Sequence, residues 1–240
     1  MMSIVFVAYG LIFGSLAGAL SYRLPRGVPV FLDRSRCPRC QTSLGLLDLV
    51  PVLSWVFSHG RCRHCGKPIP WRYPLIEVVT AALFILAWWR GGADPMLAGF
   101  LAMVAVGLVV ISAADLEMGI IPDAMLAYLL VLAIGWDFHK GWADIWFDRL
   151  GGAAAGGMLF YLLRIAFLRF KGEPGCGRGD VKFAGIAGFY VGAAGFKEYV
   201  LLVGLVGLLF AIIWLAMGRG RVSPLGPALC LALMAQLLAS

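Results

Sequence analysis

Two aspartates have the residue type and placement from which chemistry could arise. They are Asp115, in Asp115-Leu116-Glu117-Met118-Gly119-Ile120-Ile121-Pro122-Asp123, and Asp180, in Gly177-Arg178-Gly179-Asp180. A carboxylate at the edge of a membrane helix is costly to hold and is usually kept for function. Two that face each other across a helix bundle can share a proton and activate a water molecule against a carbonyl carbon. Gly177 and Gly179 let the backbone approach closely before Asp180 opens a helix, whose N-terminal dipole favours an anion. Pro122 suits the first turn of another helix, where Asp123 is expected to cap or to replace Asp115 in the pair. Lys182, two residues past Asp180, is expected to tune that carboxylate or to snorkel toward lipid headgroups.

A second constellation is Cys37-Pro38-Arg39-Cys40 followed by Cys62-Arg63-His64-Cys65. Two C-x2-C pairs at this separation suit an all-thiolate tetrahedral zinc site with a structural role. The alternative is a set of redox-active or adventitious cysteine pairs. A polar segment this short builds little apolar core, and a bound metal supplies the missing folding energy. A cytoplasmic setting keeps the thiols reduced and favours metal over disulfides. Cys176 is expected to line the aspartate site and Cys230 to serve packing.

The elements that must position these groups are membrane helices. The 240 residues are 61% hydrophobic and only 14% charged, with a mean hydropathy of +0.89. Soluble domains carry about a quarter charged residues, so the chain reads as an all-α polytopic membrane protein. Spans of roughly 20 apolar residues are expected at 4–22, 75–90, 96–113, 121–137, 148–168, 181–196, 198–217 and 223–239, eight in all. The first carries no cleavage signal and reads as a retained helix. The sixth is short and interrupted by Gly185, Gly188, Gly192 and Gly195, so it needs close neighbours. Small residues such as Gly151, Gly152, Gly156 and Gly157 favour tight helix packing in lipid. No internal repeat is evident.

The net charge of +7 does not imply nucleic acid, because the bases lie in a few loops between apolar spans. Sixteen Lys and Arg, from Arg23 through Arg34 and Arg61 to Arg221, fall on one side and four on the other. The positive-inside rule then puts the cysteine loop and both aspartates on the cytoplasmic side. The expected organisation is a first helix at 1–22, a cytoplasmic four-cysteine loop domain at 23–74 and a seven-helix core at 75–240.

These motifs, in this order, resemble the type IV prepilin peptidase family, GxGD-type aspartic membrane proteases. The resemblance runs through Gly14-Ser15, Tyr22-Arg23-Leu24-Pro25, Ser35-Arg36-Cys37-Pro38-x-Cys40 and Pro51-Val52-Leu53-Ser54-Trp55. It continues through Gly60-Arg61-Cys62-Arg63-x-Cys65, Arg72-Tyr73-Pro74-Leu75-Ile76-Glu77 and the two aspartate motifs. Gly18 and Leu49 stand where members commonly carry Asn. The resemblance implies an inner-membrane enzyme that removes the short basic leader of type IV prepilins or type II secretion pseudopilins. It also implies N-methylation of the new terminus with S-adenosylmethionine. Asp115 and Asp180 would be the catalytic pair, and Cys37, Cys40, Cys62 and Cys65 the metal ligands. The enzyme's own basic face cannot attract a basic leader, so recognition is expected at Glu77, Asp48 or Glu117. Rival readings are a proton-coupled transporter using the two aspartates as a relay, or a membrane scaffold whose zinc loop docks a partner.

Overall fold

The computed structural model describes residues 2–30, 35–37, 39–141, 146–173, 175–219 and 223–239. Arg34, Pro38 and Arg221, used above, lie outside the described residues. The main elements are α1 (Met2–Arg23), a short α2 (Leu53–Phe57), α3 (Arg72–Gly91), α4 (Pro95–Met118), α5 (Asp123–Lys140), α6 (Trp146–Lys171), α7 (Arg178–Ala216) and α8 (Gly226–Ala239). Among the described residues there are no strands, only two isolated bridges. An all-helical apolar chain satisfies its backbone within each helix, which lipid demands. The chain divides into two compact units, Met1–Ala113 and Ala114–Ser240.

In the first unit α1 and α3 lie antiparallel, and glycines set how closely. A Cβ built on Gly10 would stand 2.5 Å from the Ala81 Cα, and one on Gly14 would stand 2.6 Å from the Glu77 Cα. The backbones therefore touch along a stripe of small residues, the usual device where lipid offers no hydrophobic drive between helices. Phe13 stacks on Phe84 at 5.8 Å beside this seam.

The cysteine loop contains a repeat that the sequence did not reveal. Residues 35–44 and 60–69 fold as the same turn. Cys37 N–H donates to Thr42 O at 3.0 Å as Cys62 N–H donates to Lys67 O at 2.9 Å. Leu44 N–H reaches Ser35 O as Ile69 N–H reaches Gly60 O. Gln41 and Gly66 hold matching left-handed positions, with φ 57° and 66°. Outside the cysteines the two stretches share little side-chain identity, so the likeness is carried by the backbone.

In the second unit α6 packs along α7 through Gly152 and Gly156. A Cβ on either would collide with the Gly188 or Ala184 carbonyl. The helix α7 breaks at Gly192 (φ 71°, ψ 173°). A straight helix at 1.5 Å per residue would set residues 180 and 199 roughly 28 Å apart. Yet Tyr199 lies within electrostatic reach of Asp180, so the second half returns beside the first. Two neighbours on α6 hold the break. Arg149 donates to the Phe189 and Tyr190 carbonyls that end the first half, and the Ala194 N–H of the second half donates to Asp148 Oδ1 at 3.2 Å. Arg149 also pairs with the buried Asp137 at 3.2 Å.

All eight expected spans fall on helices, but the number long and apolar enough to cross a membrane is smaller. Among the described residues five qualify: α1, α3, α4, α6 and α7. The expected sixth and seventh spans form the two halves of α7. At 14 residues α8 is short, and α5 carries Asp123, Asp137 and Lys140 within its 18 residues.

Candidate active site and metal centre

Asp115 lies in the last turn of α4 and Asp180 in the first turn of α7. Both belong to the second unit. They are 7% and 8% exposed, and each lies within electrostatic reach of the other. Their environments match. Asp115 Oδ2 accepts the Gly226 N–H at 2.8 Å, and Asp180 Oδ2 accepts the Gly177 N–H at 2.6 Å. One oxygen of each carboxylate is thus fixed by a backbone donor. Among the described residues Oδ1 of each has no hydrogen-bond donor from the protein, which leaves it for a proton or a water.

Close backbone approach explains the glycines around the pair. A Cβ on Gly179 would stand 2.9 Å from the Ile121 Cβ, and one on Gly226 would stand 2.6 Å from Asp115 Oδ2. Gly226 is a site residue that sequence reasoning missed. Its signal was the Gly226-Pro227 dipeptide at the start of the last apolar run, a helix-start pattern that does not disclose a partner more than a hundred residues away. Arg164 was also missed. It donates to the Cys176 carbonyl at 2.5 Å and so fixes the loop that leads into Asp180. Cys176 stands beside the pair, as expected. Burial, and then the Asp180 charge, push its thiol above the ordinary range, against the pull of Arg164.

The supporting residues separate. Asp123 does not join the pair and makes no side-chain cap on α5, whose N-cap is Pro122. Its carboxylate is taken by Lys182 at 2.7 Å, both chains exposed, which ties the start of α5 to the start of α7. Lys182 therefore does not contact Asp180. Glu117 is exposed at the end of α4. Glu77 belongs to the first unit, 8% exposed, where its Oε2 accepts the Val52 N–H at 2.7 Å. Asp48 is paired with Arg63 at 3.4 Å.

The four expected metal ligands converge. The sulfurs of Cys37, Cys40, Cys62 and Cys65 all lie within 4.8 Å of one another, and Cys37 and Cys65 are 3.9 Å apart. Four thiolates about 2.3 Å from one zinc ion would sit about 3.8 Å apart at tetrahedral angles. The donor set and its spacing therefore fit a metal ion. All six cysteines are free thiols. Hydrogen bonds with the Thr42 side chain and backbone hold the Cys40 thiol down at about 6. Those with the Cys65 and His64 backbone lower Cys62 as well. Such bonds favour the thiolate that a metal needs at these two positions, whereas at Cys65 the Lys67 backbone bond is outweighed by burial and the neighbouring thiols, which leave its thiol raised to about 11. His64 is exposed and lies outside the cluster.

Comparison with known proteins gives a consistent result. Residues 8–91 match the bacterial peptidase A24 N-terminal domain, and residues 102–216 match the type IV leader peptidase family. A prepilin leader peptidase/N-methyltransferase of Bacillus subtilis (strain 168) is 34% identical over 95% of this chain and 90% of its own length. Proteins of the same name from Neisseria gonorrhoeae and Dickeya chrysanthemi are each 30% identical. They align over 92% and 85% of this chain and 84% and 80% of their own lengths. No solved structure matches the chain.

Proposed function

Because the chain belongs to the type IV leader peptidase family, we propose that it is a membrane-embedded aspartic endopeptidase that cuts the basic leader from prepilins or pseudopilins. The observation that carries this reading is the matched pair of buried carboxylates, each held on one oxygen by a glycine N–H. Five helices long and apolar enough to cross a membrane agree with a multi-pass inner-membrane protein. Residues 23–74 form its zinc-binding loop domain, on the cytoplasmic side by the basic-residue count, between the first helix at 1–22 and the protease core at 75–240.

The chemistry follows from the geometry. A water held between the free oxygens of Asp115 and Asp180 loses a proton to whichever carboxylate is ionised. Its oxygen attacks the scissile carbonyl carbon. The protonated partner then gives its proton to the amide nitrogen as the C–N bond breaks. The two carboxyl groups exchange roles, and no covalent intermediate forms. Paired titrating groups of this kind act as a unit, and neither has a pKa of its own. The immobile Gly226 and Gly177 donors fix both carboxylates before substrate arrives, so little reorganisation remains for the reaction.

The second activity in the relatives' names, N-methyltransferase, extends to this chain as a proposal, with S-adenosylmethionine as the methyl source. The four cysteines would hold a structural zinc ion. Glu117, exposed at the end of α4 in the same unit as the aspartate pair, is a carboxylate suited to a basic leader. Cleavage of a full-length prepilin by the purified protein, followed by intact mass, tests both activities. The expected product has lost the leader and gained one methyl group. An uncut substrate would overturn the peptidase reading, and an unmethylated product the second activity.

A further inference from the structure

The two buried carboxylates each take a glycine N–H, but the peptide groups that supply it differ at their other end. Asp180 Oδ2 accepts the Gly177 N–H at 2.6 Å, and the carbonyl of that same peptide, Cys176 O, accepts Arg164 Nη1 at 2.5 Å. One amide therefore stands between a guanidinium and a carboxylate, accepting from the cation and donating to the anion. Hydrogen bonds in such a chain polarise and strengthen one another, and they are strongest where the end groups are charged. The Asp115 side lacks this cation. Its Oδ2 accepts the Gly226 N–H at 2.8 Å, and the carbonyl of that peptide, Leu225 O, accepts the neutral Leu229 N–H at 3.1 Å.

The α6 helix holds this bridge in place. Phe160, Arg164 and Phe167 recur at helical spacing along one of its faces, and the loop ahead of α7 lies against them. A Cβ on Gly175 would stand 2.5 Å from Phe167 Cγ, and the Cys176 thiol donates to the Phe160 carbonyl at 3.6 Å. Arg164 is half-buried and lies within electrostatic reach of Asp180. Among the described residues no carboxylate pairs with it directly. The other elements around Asp180 bring no second cation to it. Asp115 comes from α4, Cys176 from the loop, and Tyr199 from the second half of α7, with Cys230 of α8 beside it. Lys182 is taken by Asp123 of α5, and Arg178 is exposed.

We propose that Arg164, acting through the Cys176–Gly177 peptide, holds Asp180 as the ionised member of the pair, which makes Asp180 the first base and Asp115 the first acid. The inference rests on the peptidase reading and deepens it by dividing the two roles and naming a positioning residue. Water gives a proton to Asp180 as its oxygen bonds to the scissile carbonyl carbon. Asp115 gives its proton to the amide nitrogen as the C–N bond breaks, which releases the amine and a carboxylic acid. The pair still holds one proton, now on Asp180, and its return to Asp115 restores the starting state. Arg164 takes no proton in this sequence. Its charge reaches the reaction through the backbone.

The test reads each carboxyl group by itself in the full-length protein in detergent. The infrared band of the protonated carboxyl is followed against pH in Asp115→Asn, which reports Asp180, and in Asp180→Asn, which reports Asp115. The variant lacking both acids is subtracted from each. Adding Arg164→Gln is expected to raise the Asp180 midpoint by about one pH unit, the low end of what an opposite charge exerts on a carboxyl group. The Asp115 midpoint should move much less. Arg164→Lys, which keeps the charge, should return the Asp180 midpoint most of the way, and Arg169→Met, which removes an exposed charge from the same helix, should move neither. Arg164→Met is a second removal of the charge, and either variant suffices once it unfolds at the normal temperature. In the intact pair the acid limb of kcat/KM for prepilin cleavage should rise with Arg164→Gln and return with Arg164→Lys. Equal movement of both midpoints, movement of neither, or slowed cleavage with unmoved midpoints would overturn the inference. The midpoints need no substrate, so an uncut prepilin beside a shifted Asp180 midpoint would overturn the peptidase reading and leave the coupling standing.

Discussion

Asp115 and Asp180 are held alike although they sit at opposite ends of their helices. Each gives one oxygen to a glycine N–H and keeps the other free. That division of labour makes Gly226 as consequential as the acids. A Cβ there would stand 2.6 Å from Asp115 Oδ2, so Gly226→Ala must displace the carboxylate. A misplacement of about 1 Å can cost about 100-fold in rate. Gly226→Ala is accordingly expected to lower kcat for leader cleavage by about 10- to 100-fold with unchanged zinc content, measured on a purified prepilin. At this scale the sequence disclosed the acids and the cysteines, because residue type and spacing carry their chemistry. It did not disclose Gly226 or Arg164, whose roles depend on what the fold brings beside them. It also left Asp123 open between a cap and a catalytic substitute; in the fold its carboxylate makes no cap on α5 and pairs with Lys182.

Among the elements, the two halves of α7 and the two cysteine turns show different routes to order. The α6 helix sets the reversal at Gly192 by offering Arg149 to the carbonyls on one side and Asp148 to the N–H on the other. Gly152 and Gly156 let it approach closely enough to do so. Gly156→Val is expected to destabilise the second unit by about 1–3 kcal/mol, the usual cost of overpacking, and to lower the midpoint of thermal unfolding in detergent. The cysteine turns are expected to depend on a bound metal instead. Thiolates bind the ion and thiols do not, so protons compete with it. Without metal the Cys40 thiol is held down at about 6 and the Cys65 thiol is pushed up to about 11, so the ligands do not ionise together. Zinc is expected to be retained at neutral pH and released on acidification, and Cys40→Ser should lower the bound metal at every pH. Metal analysis after dialysis across this range checks both. The helical spans were legible as apolar runs because lipid imposes a length and a composition. The repeat of the cysteine turn was not, since backbone hydrogen bonds that any side chains can make carry it.

Across the whole molecule, two compact units divide the features that chemistry could use. The first contains the metal cluster, and the second contains the aspartate pair. The division predicts that the two activities can be lost separately. Chelation of the metal should act first on the cysteine loop of the first unit and leave leader cleavage by the second unit less affected than methylation, a difference read by assaying both on one preparation. The charge asymmetry of sixteen bases against four, counted along the full sequence, predicts which side the loops face. A membrane-impermeant thiol reagent should label Cys40 in inverted vesicles after metal removal and leave it unlabelled in intact cells. The most direct measurement is cleavage of a full-length prepilin by purified Asp115→Asn and Asp180→Asn, each shown to bind zinc and unfold at the normal temperature. Each substitution is expected to reduce the rate by at least about 100- to 10,000-fold, the contribution of a positioned acid or base, with no product of the expected mass. Cutting by either variant at close to the unaltered rate would contradict the account.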